Sequence, residues 1–371
     1  MMSFYHSGRS ALGEFAYRKL LRAAGARRVA WAAYRELLIK VLRDPTILLS
    51  VHGRAMAMPL SMQLPIWLQQ EPAYDRLLQR LGTFIRHREG QIRAIDVGAN
   101  IGDSIAAIGV ELGDRFLAIE PSERFFRYLV MNWGLVSEVT SLQAACASGG
   151  AAESFSVDHY RRGTATVVRA PPDDGLAFKT LDAIVQSIPA FEEIDLLKID
   201  TDGWDLDVIR GAEETIRRFQ PIVLFEVDSF SEASYVDRCI DSLNFFGLAG
   251  YGGFLVYDNA GFLVGHHQID ALESFRELLC YQQGLSAIRK TGVLTISAPF
   301  YFDVLMLRPD DMRRFLDSEV AWLEKLADHM GGRYAMSPVE AFTQKLQRLF
   351  RQRLPSDNEN TTTAKVARFG G

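Results

Sequence analysis

The segment AIDVGANIGDS (94–104), a short apolar run ending in spaced glycines, constrains this chain more than any other. Residues 92–97 are compact and apolar, the pattern of a strand buried on both faces of a parallel sheet. Gly98 and Gly102 then mark a strand-to-helix turn, with Asn100 between them. Glycine adopts backbone angles that side chains resist and lets the main chain approach a ligand closely. The helix that follows should offer its first N–H groups to an anionic or polar ligand end. Asp96 stands at the end of the strand, and Glu120 closes the next strand 24 residues later. An acid at that point is where the ribose hydroxyls of a nucleotide-like ligand fall. Three residues separate the glycines, unlike G-x-G-x-x-G, which argues against NAD and toward S-adenosylmethionine. A tight turn with a surface acid is the plainer alternative.

Around this segment the chain alternates. Strands are expected at 92–97, 115–121, 139–147, 194–200, 221–228, 254–258 and 300–307. Helices are expected at about 103–112, 123–134, 180–187, 206–219 and 239–248. Such alternation predicts a Rossmann-like α/β fold, with a mostly parallel seven-stranded sheet and helices on both faces. Phe125, Phe126, Tyr128 and Trp133 recur at helical spacing and read as core. Residues 1–90 form an N-terminal extension: a helix over 14–44, a hairpin over 46–65 turning at His52-Gly53-Arg54, and a helix over 74–88 ended by Gly90. The central domain runs over 91–310. Residues 311–351 read as helical, and the polar tail 356–371 as disordered, within a C-terminal extension of 311–371.

The second informative segment is DLLKIDTDGWDLDVIRGA (195–212). Lys198 and Asp200 interrupt an apolar strand two positions apart, so they face the same way. At the carboxyl end of a parallel strand, such residues line the ligand crevice. Asp202 and Asp205 follow within six positions, and Glu226 ends the next strand. The group could take a hydroxyl proton or bind a divalent cation, although Asp202 and Asp205 could equally cap the next helix. His159 and Tyr160 could reach the crevice from a loop, and Tyr251-Gly252-Gly253 could form a flexible approach. His266-His267 lacks the spacing of a metal site.

Composition excludes some classes. A net charge of -5 gives no global attraction to nucleic acid, and no nucleic-acid partner is expected. Cys146, Cys239 and Cys280 form no close pair, so neither a disulfide framework nor a structural zinc is expected. The start has no signal-peptide pattern, and no run of apolar residues would span a membrane, which favours a cytoplasmic setting. Over 1–44, however, nine Lys/Arg stand against three acids, and a basic amphipathic helix can lie on an anionic membrane surface.

Taken together, IDVGANIGDS, AIEPSERFFRYLVMNW, FKTLDAIV and DLLKIDTDGWDLDVIRGA resemble the FkbM-type methyltransferases over about 94–260. The resemblance implies methylation of hydroxyls on sugars, glycans or polyketides with S-adenosylmethionine. It assigns Asp96, Gly98, Asn100 and Gly102 to the cofactor loop and Glu120 to the ribose. It matches Leu181-Asp182 to a T-L-D segment, Lys198, Asp200 and Gly203 to the motif after the fourth strand, and Glu226 to an acid ending the fifth. Asp202 and Asp205 depart from it, standing where glutamate is usual. The extensions outside this core are expected to shape the acceptor pocket. The rivals are a nitrogen or carbon acceptor, a cofactor-binding protein without turnover, and an NAD-dependent nucleotide-sugar enzyme. Asp200 is the expected base, with Lys198 beside it and Glu226 in reserve.

Overall fold

The computed structural model describes residues 8–71, 73–149, 154–159, 165–170, 176–228, 234–290 and 301–330. Two helices, α1 (Gly8–Arg22) and α2 (Gly25–Leu42), precede a hairpin of β1 (Thr46–Val51) and β2 (Arg54–Pro59). One helix was expected over 14–44; the chain instead breaks at Ala23-Ala24, where Gly25 is left-handed (φ 54°), and α2 packs against α1. The hairpin turns at His52-Gly53 as expected, with φ of 47° and 83°, the left-handed pair that a two-residue turn demands. Arg35 is buried on α2 and donates from Nε to the Leu60 carbonyl (2.9 Å) and from Nη2 to the Met62 carbonyl (3.0 Å). The Tyr17 hydroxyl donates to the same Met62 oxygen at 2.6 Å. These bonds fix the chain where it enters α3 (Leu64–Gln70) and then α4 (Arg76–Glu89), which Gly90 ends.

The sheet begins with β3 (Arg93–Val97), followed by α5 (Asp103–Ile108), β4 (Arg115–Ile119), α6 (Glu123–Trp133) and β5 (Val139–Leu142). A separate antiparallel sheet of β6 (Ser154–His159), β7 (Ala165–Ala170) and β8 (Leu176–Ala177) comes next, in a stretch read from sequence as loop. The chain continues through α7 (Leu181–Gln186), β9 (Leu196–Ile199), α8 (Asp205–Arg210), α9 (Glu213–Phe219), β10 (Ile222–Val227), α10 (Tyr235–Leu248), β11 (Gly253–Asp258), β12 (Leu263–Gln268), α11 (Glu273–Lys290) and β13 (Phe302–Leu307). The main sheet has the order β12-β11-β13-β10-β9-β3-β4-β5. Neighbours from β10 to β5 are parallel, while β13, β11 and β12 run antiparallel. This is the Rossmann-like class, with eight strands where seven were expected. The extra strand, β12, pairs with β11 alone, and Gly265 interrupts the alternation that would have marked it.

Local packing explains other departures. The helix expected over 206–219 splits into α8 and α9 around Gly211, where a Cβ would lie 2.6 Å from the Ala147 carbonyl oxygen. Asp182 accepts from the N–H groups of Thr215 (2.8 Å) and Glu214 (3.1 Å), so the T-L-D segment caps α9. On α6 the aromatic face is core as expected, with Phe125, Tyr128 and Trp133 buried. The N-terminal hairpin docks there: Asn132 bonds both backbone groups of Ala57, and the Arg54 guanidinium lies 4.0 Å from the Trp133 ring centre. Residues Met1–Arg308 form one compact unit and Pro309–Gly371 another. The second contains α12 (Pro309–Met330); the rest of the helix expected to 351, and the tail, lie outside the described residues. Among the described residues no helix is long and apolar enough to cross a membrane.

Candidate active site

Strand order reverses about β3, whose neighbours are β9 on one side and β4 on the other. The carboxyl ends of such strands diverge and leave a crevice. A cleft of about 630 Å³ lies there. Gly98 and Asn100 line one half of it, whereas Asp96 and Gly102 are not in its wall. Gly98 is left-handed (φ 84°), and a Cβ on it would sit 1.8 Å from the Asp200 carbonyl oxygen. The close approach that demands glycine is therefore to the end of β9. Gly102 is held against Trp133, whose Nε1 donates to its carbonyl at 3.0 Å.

The loop's own N–H groups turn inward. The N–H groups of Gly98 and Ala99 both reach the Ile119 carbonyl (2.9 and 3.0 Å), and that of Gly102 reaches Ala99 (2.7 Å). The Asn100 N–H donates to Glu120 Oε2 and the Ser122 N–H to Glu120 Oε1, each at 2.8 Å. Moreover, α5 is only six residues long, too short for a strong dipole. What this half presents is acceptors. Glu120 keeps a lone pair on each oxygen for ligand hydroxyls. Burial pushes its carboxyl up to about 7 against the pull of the two N–H groups, and burial likewise pushes Asp103 to about 7.

At the end of β9, Lys198 and Asp200 share a face as their spacing predicted. The Lys198 ammonium lies 3.0 Å from Asp200 Oδ2 and 3.3 Å from Asp96 Oδ1. Burial alone would lower the lysine's pKa, but Asp200 and Asp96 more than offset it, leaving it well above the ordinary value. Asp96 is 3% exposed, and burial raises its carboxyl despite Lys198. Asp96 thus anchors Lys198 from behind, while Asp200, with 47% of its side chain exposed, stands in the cleft.

The expected acidic cluster disperses. Asp205 neither faces the cleft nor caps α8: its Oδ2 accepts from the Thr201 hydroxyl (2.9 Å) and its Oδ1 from the Glu226 N–H (3.2 Å). It staples the loop after β9 to β10. Asp202 lines the cleft from a left-handed turn (φ 50°), and burial, then Asp200, pushes its carboxyl to about 7. With Asp205 turned away, the proposed Mg²⁺ or Ca²⁺ site from Asp200, Asp202, Asp205 and Glu226 is not formed. Among the described residues no group of three or more metal-binding side chains is assembled.

The other half of the cleft was largely unforeseen. Leu224, Glu226 and Asp228 line it at alternate positions. Asp303 of β13 stands directly opposite Glu226 in the antiparallel register. Trp67, Tyr74 and Asp75 enter from the N-terminal extension and Tyr301 from the start of β13. Burial first, then Asp200, drives Glu226 and Asp303 well above the ordinary carboxyl range, and Asp303 raises Glu226 further. Asp303 was findable, since it breaks the apolar run FYFDVLML as Lys198 breaks its own. Tyr74 and Tyr301 carried no such signal. A third wall comes from the small sheet, where Trp204 Nε1 donates to the Val167 carbonyl at 2.7 Å and Phe178 stacks 4.8 Å from Trp204. Among the described lining residues, nine acids face a single basic side chain, Lys198.

Of the remaining candidates, Tyr251 and the His266-His267 pair lie away from the site. The His159 side chain and Tyr160 lie outside the described residues. Tyr251 is buried, with its hydroxyl on the Pro221 carbonyl at 2.6 Å, and serves packing rather than a flexible approach. His266 and His267 lie on the edge strand β12, with His267 stacked 5.3 Å from Phe254.

Residues 96–251 match the profile of the methyltransferase FkbM domain. No curated protein matches the chain at a significant level. A methyltransferase FkbM from Methylobacillus flagellatus KT is similar at 16% identity, covering 57% of this chain and 47% of that one, with a TM-score of 0.27. The chain thus spans about half the length of that relative. A precorrin-6y C5,15-methyltransferase from Geobacter metallireducens GS-15 is similar at 12% identity over 62% of this chain and 87% of that one, with a TM-score of 0.31. Fibrillarin from Aeropyrum pernix, solved with natively bound S-adenosyl-L-methionine, is similar at 12% identity over 44% and 58%, with a TM-score of 0.28.

Proposed function

Because residues 96–251 form a methyltransferase domain of the FkbM type, we propose that the chain transfers a methyl group from S-adenosylmethionine to a hydroxyl of a sugar, glycan or related polyol. The observation that carries this reading is the charge of the cleft: nine acids and one lysine, beside a loop whose N–H groups at Gly98, Ala99, Asn100 and Gly102 are engaged internally. A pyrophosphate would meet repulsion and few free donors there. S-adenosylmethionine has no phosphate, carries a cationic sulfur and ammonium, and offers ribose hydroxyls to Glu120. Gly98 and Asn100 would border it, with Asp96 and Gly102 holding the loop from behind.

For the acceptor, Trp67, Tyr74 and Tyr301 supply flat apolar faces, and Glu226 and Asp303 supply hydrogen-bonding groups. Aromatic faces with a few convergent polar groups suit a polyol. The bound cofactor supplies an electrophilic methyl group on a positively charged sulfur. Asp200 would accept the acceptor hydroxyl's proton as that oxygen takes the methyl group the cofactor would supply. Lys198, an ammonium at neutral pH, fixes Asp200 and is no base itself. Glu226, whose carboxyl burial raises well above its ordinary range, supplies hydrogen-bonding oxygens that orient the acceptor.

Asp200→Asn tests the assignment. Cofactor affinity by calorimetry should stay within about threefold while turnover drops by ~10²–10⁴, as for a lost general base. Near-normal turnover would mean that alignment alone drives transfer. Lost cofactor binding would make Asp200 a cofactor ligand.

A further inference from the structure

The α1–α2 hairpin carries two surfaces that the methyltransferase reading does not use. Its tip is basic: Arg18, Lys19 and Arg22 end α1, Arg27 and Arg28 begin α2, and no acid occurs from Phe15 to Arg35. The chain as a whole is net negative, so this charge is segregated. Arg27 and Arg28 sit in the first turn of α2, where the helix dipole disfavours cations. That turn has no acidic residue, and its N-cap, Ala24, makes no side-chain hydrogen bond. The N-terminus of this 18-residue helix is thus electropositive twice over and capped by nothing of its own.

The second surface is apolar. Val29, Ala33, Leu37 and Val41 recur every four residues along α2 and so form one stripe. It is turned away from the buried face, which holds Arg35 and Leu38. Val29 is 70% exposed, Val41 66% and Leu37 54%. On α1, Phe15 is 51% exposed and packs edge-on against Trp31 of α2 at 5.8 Å, a further exposed apolar side chain on the hairpin. An exposed apolar patch rimmed by charge marks an interaction surface. Basic side chains beside aliphatic and aromatic ones, on helices too polar to span a bilayer, match the chemistry of an anionic lipid surface. A nucleic acid would use the cations and leave the stripe in water.

We propose that the α1–α2 hairpin docks this protein on an anionic phospholipid membrane, with headgroup phosphates at the basic tip and the Val29–Val41 stripe in the acyl boundary. The hairpin is tied to the cleft, since Gln69 of α3 donates to the Leu21 carbonyl and Trp67 of α3 lines the cleft. Docking therefore orients the cleft relative to the membrane.

Sedimentation of the full chain with vesicles tests this without any acceptor. Vesicles of phosphatidylcholine mixed with phosphatidylserine should carry the protein down, and vesicles of phosphatidylcholine alone should not. Arg27→Glu with Arg28→Glu should weaken binding at least tenfold, as should Val29→Ser with Val41→Ser, and added salt should release the protein. All four positions are at the surface or partly so, and circular dichroism checks that each variant keeps its helices. The proposal is overturned by equal binding to both vesicles, by binding to neither, or by a serine variant that binds as the parent does. Binding to transfer RNA that survives the serine changes, with no vesicle binding, would reassign the tip to nucleic acid. Methyl transfer enters none of these outcomes.

Discussion

The two halves of the cleft hold similar numbers of carboxylates in opposite states. In the cofactor half Glu120 takes two N–H groups, and behind the wall Asp96 takes Lys198. In the acceptor half Glu226 and Asp303 face each other across a strand pair, and no hydrogen bond from a described residue holds either carboxylate. Like charges directly opposite on paired strands are destabilising. One half is thus assembled before any ligand arrives, and the other is held under repulsion that a ligand's hydrogen-bond donors would relieve. Folding is served by the first and recognition by the second.

The largest effect should come where the assembled half touches β9. Gly98→Ala places a Cβ 1.8 Å from a backbone oxygen at a φ of 84°. Backbone cannot swing aside as a side chain can, so a loss above about 5 kcal/mol, or no folded protein, is expected. Urea unfolding reads it. A mild loss would mean that the loop and β9 are not locked together.

Lys198→Met comes next. It strands Asp96 as a buried unpaired carboxylate, and breaking such a pair costs about 3–5 kcal/mol. The lysine's folded pKa lies above its unfolded value. Its contribution is therefore complete below the unfolded pKa of about 10.4 and fades only as pH rises through the folded one. Without Lys198 the buried Asp96 carboxyl rises further and takes up a proton as pH falls, so the loss should be smaller at mildly acidic than at neutral pH. Adding Asp96→Asn should recover part of it.

These two sites were also the legible ones. Gly98, Glu120, Lys198 and Asp200 each break a local pattern, by glycine spacing or by a charge within an apolar strand. A local break is visible without knowing the fold. The acceptor half is assembled from residues 77 to 229 positions apart, Tyr74 with Glu226 and Asp303, and only the fold brings them together. Nothing near Tyr74 announces a destination. The inward turn of the loop's N–H groups has no local signal either, because those of Gly98 and Ala99 find their acceptor in the Ile119 carbonyl at the end of β4. The β6–β8 sheet escaped because its two-residue strand β8 has no periodicity to read, and α1 and α2 merged because two alanines break no helical pattern.

The pH profile of the ligand-free protein reports the cost of burying these acids together. Glu120, Asp103 and Asp202 are raised to about 7 and Asp205 to about 6. An acid with a raised folded pKa lends its full stability below the unfolded value, near pH 4, and loses it as pH climbs through the folded value. Stability should therefore fall between about pH 5 and pH 8. A tenfold change in a group's acidity on folding corresponds to about 1.4 kcal/mol, so a net fall of at least about 2 kcal/mol is expected. Unfolding midpoints at the two pH values measure it. A rise instead would show that these acids are paired in solution.

The smallest effect discriminates best between the halves. Asp303→Asn removes one charge of the opposed pair and leaves the backbone ladder of β10 and β13 intact. It should stabilise the ligand-free protein by about 1 kcal/mol at pH 8, where repulsion is greatest, and by less at pH 5. Glu226→Gln should do the same, and the double change should gain less than the sum, because either one alone removes the shared repulsion. Glu120→Gln should go the other way. Its amide keeps one acceptor, so one of the two N–H groups of Asn100 and Ser122 loses its partner, at a cost of about 1–3 kcal/mol. Opposite signs for two acid-to-amide changes in one cleft would follow only if one acid is bound by the fold and the other is waiting for a ligand. If Asp303→Asn destabilises as Glu120→Gln does, both carboxylates are structural, and Glu226 loses its place as a hydrogen-bonding partner of the acceptor.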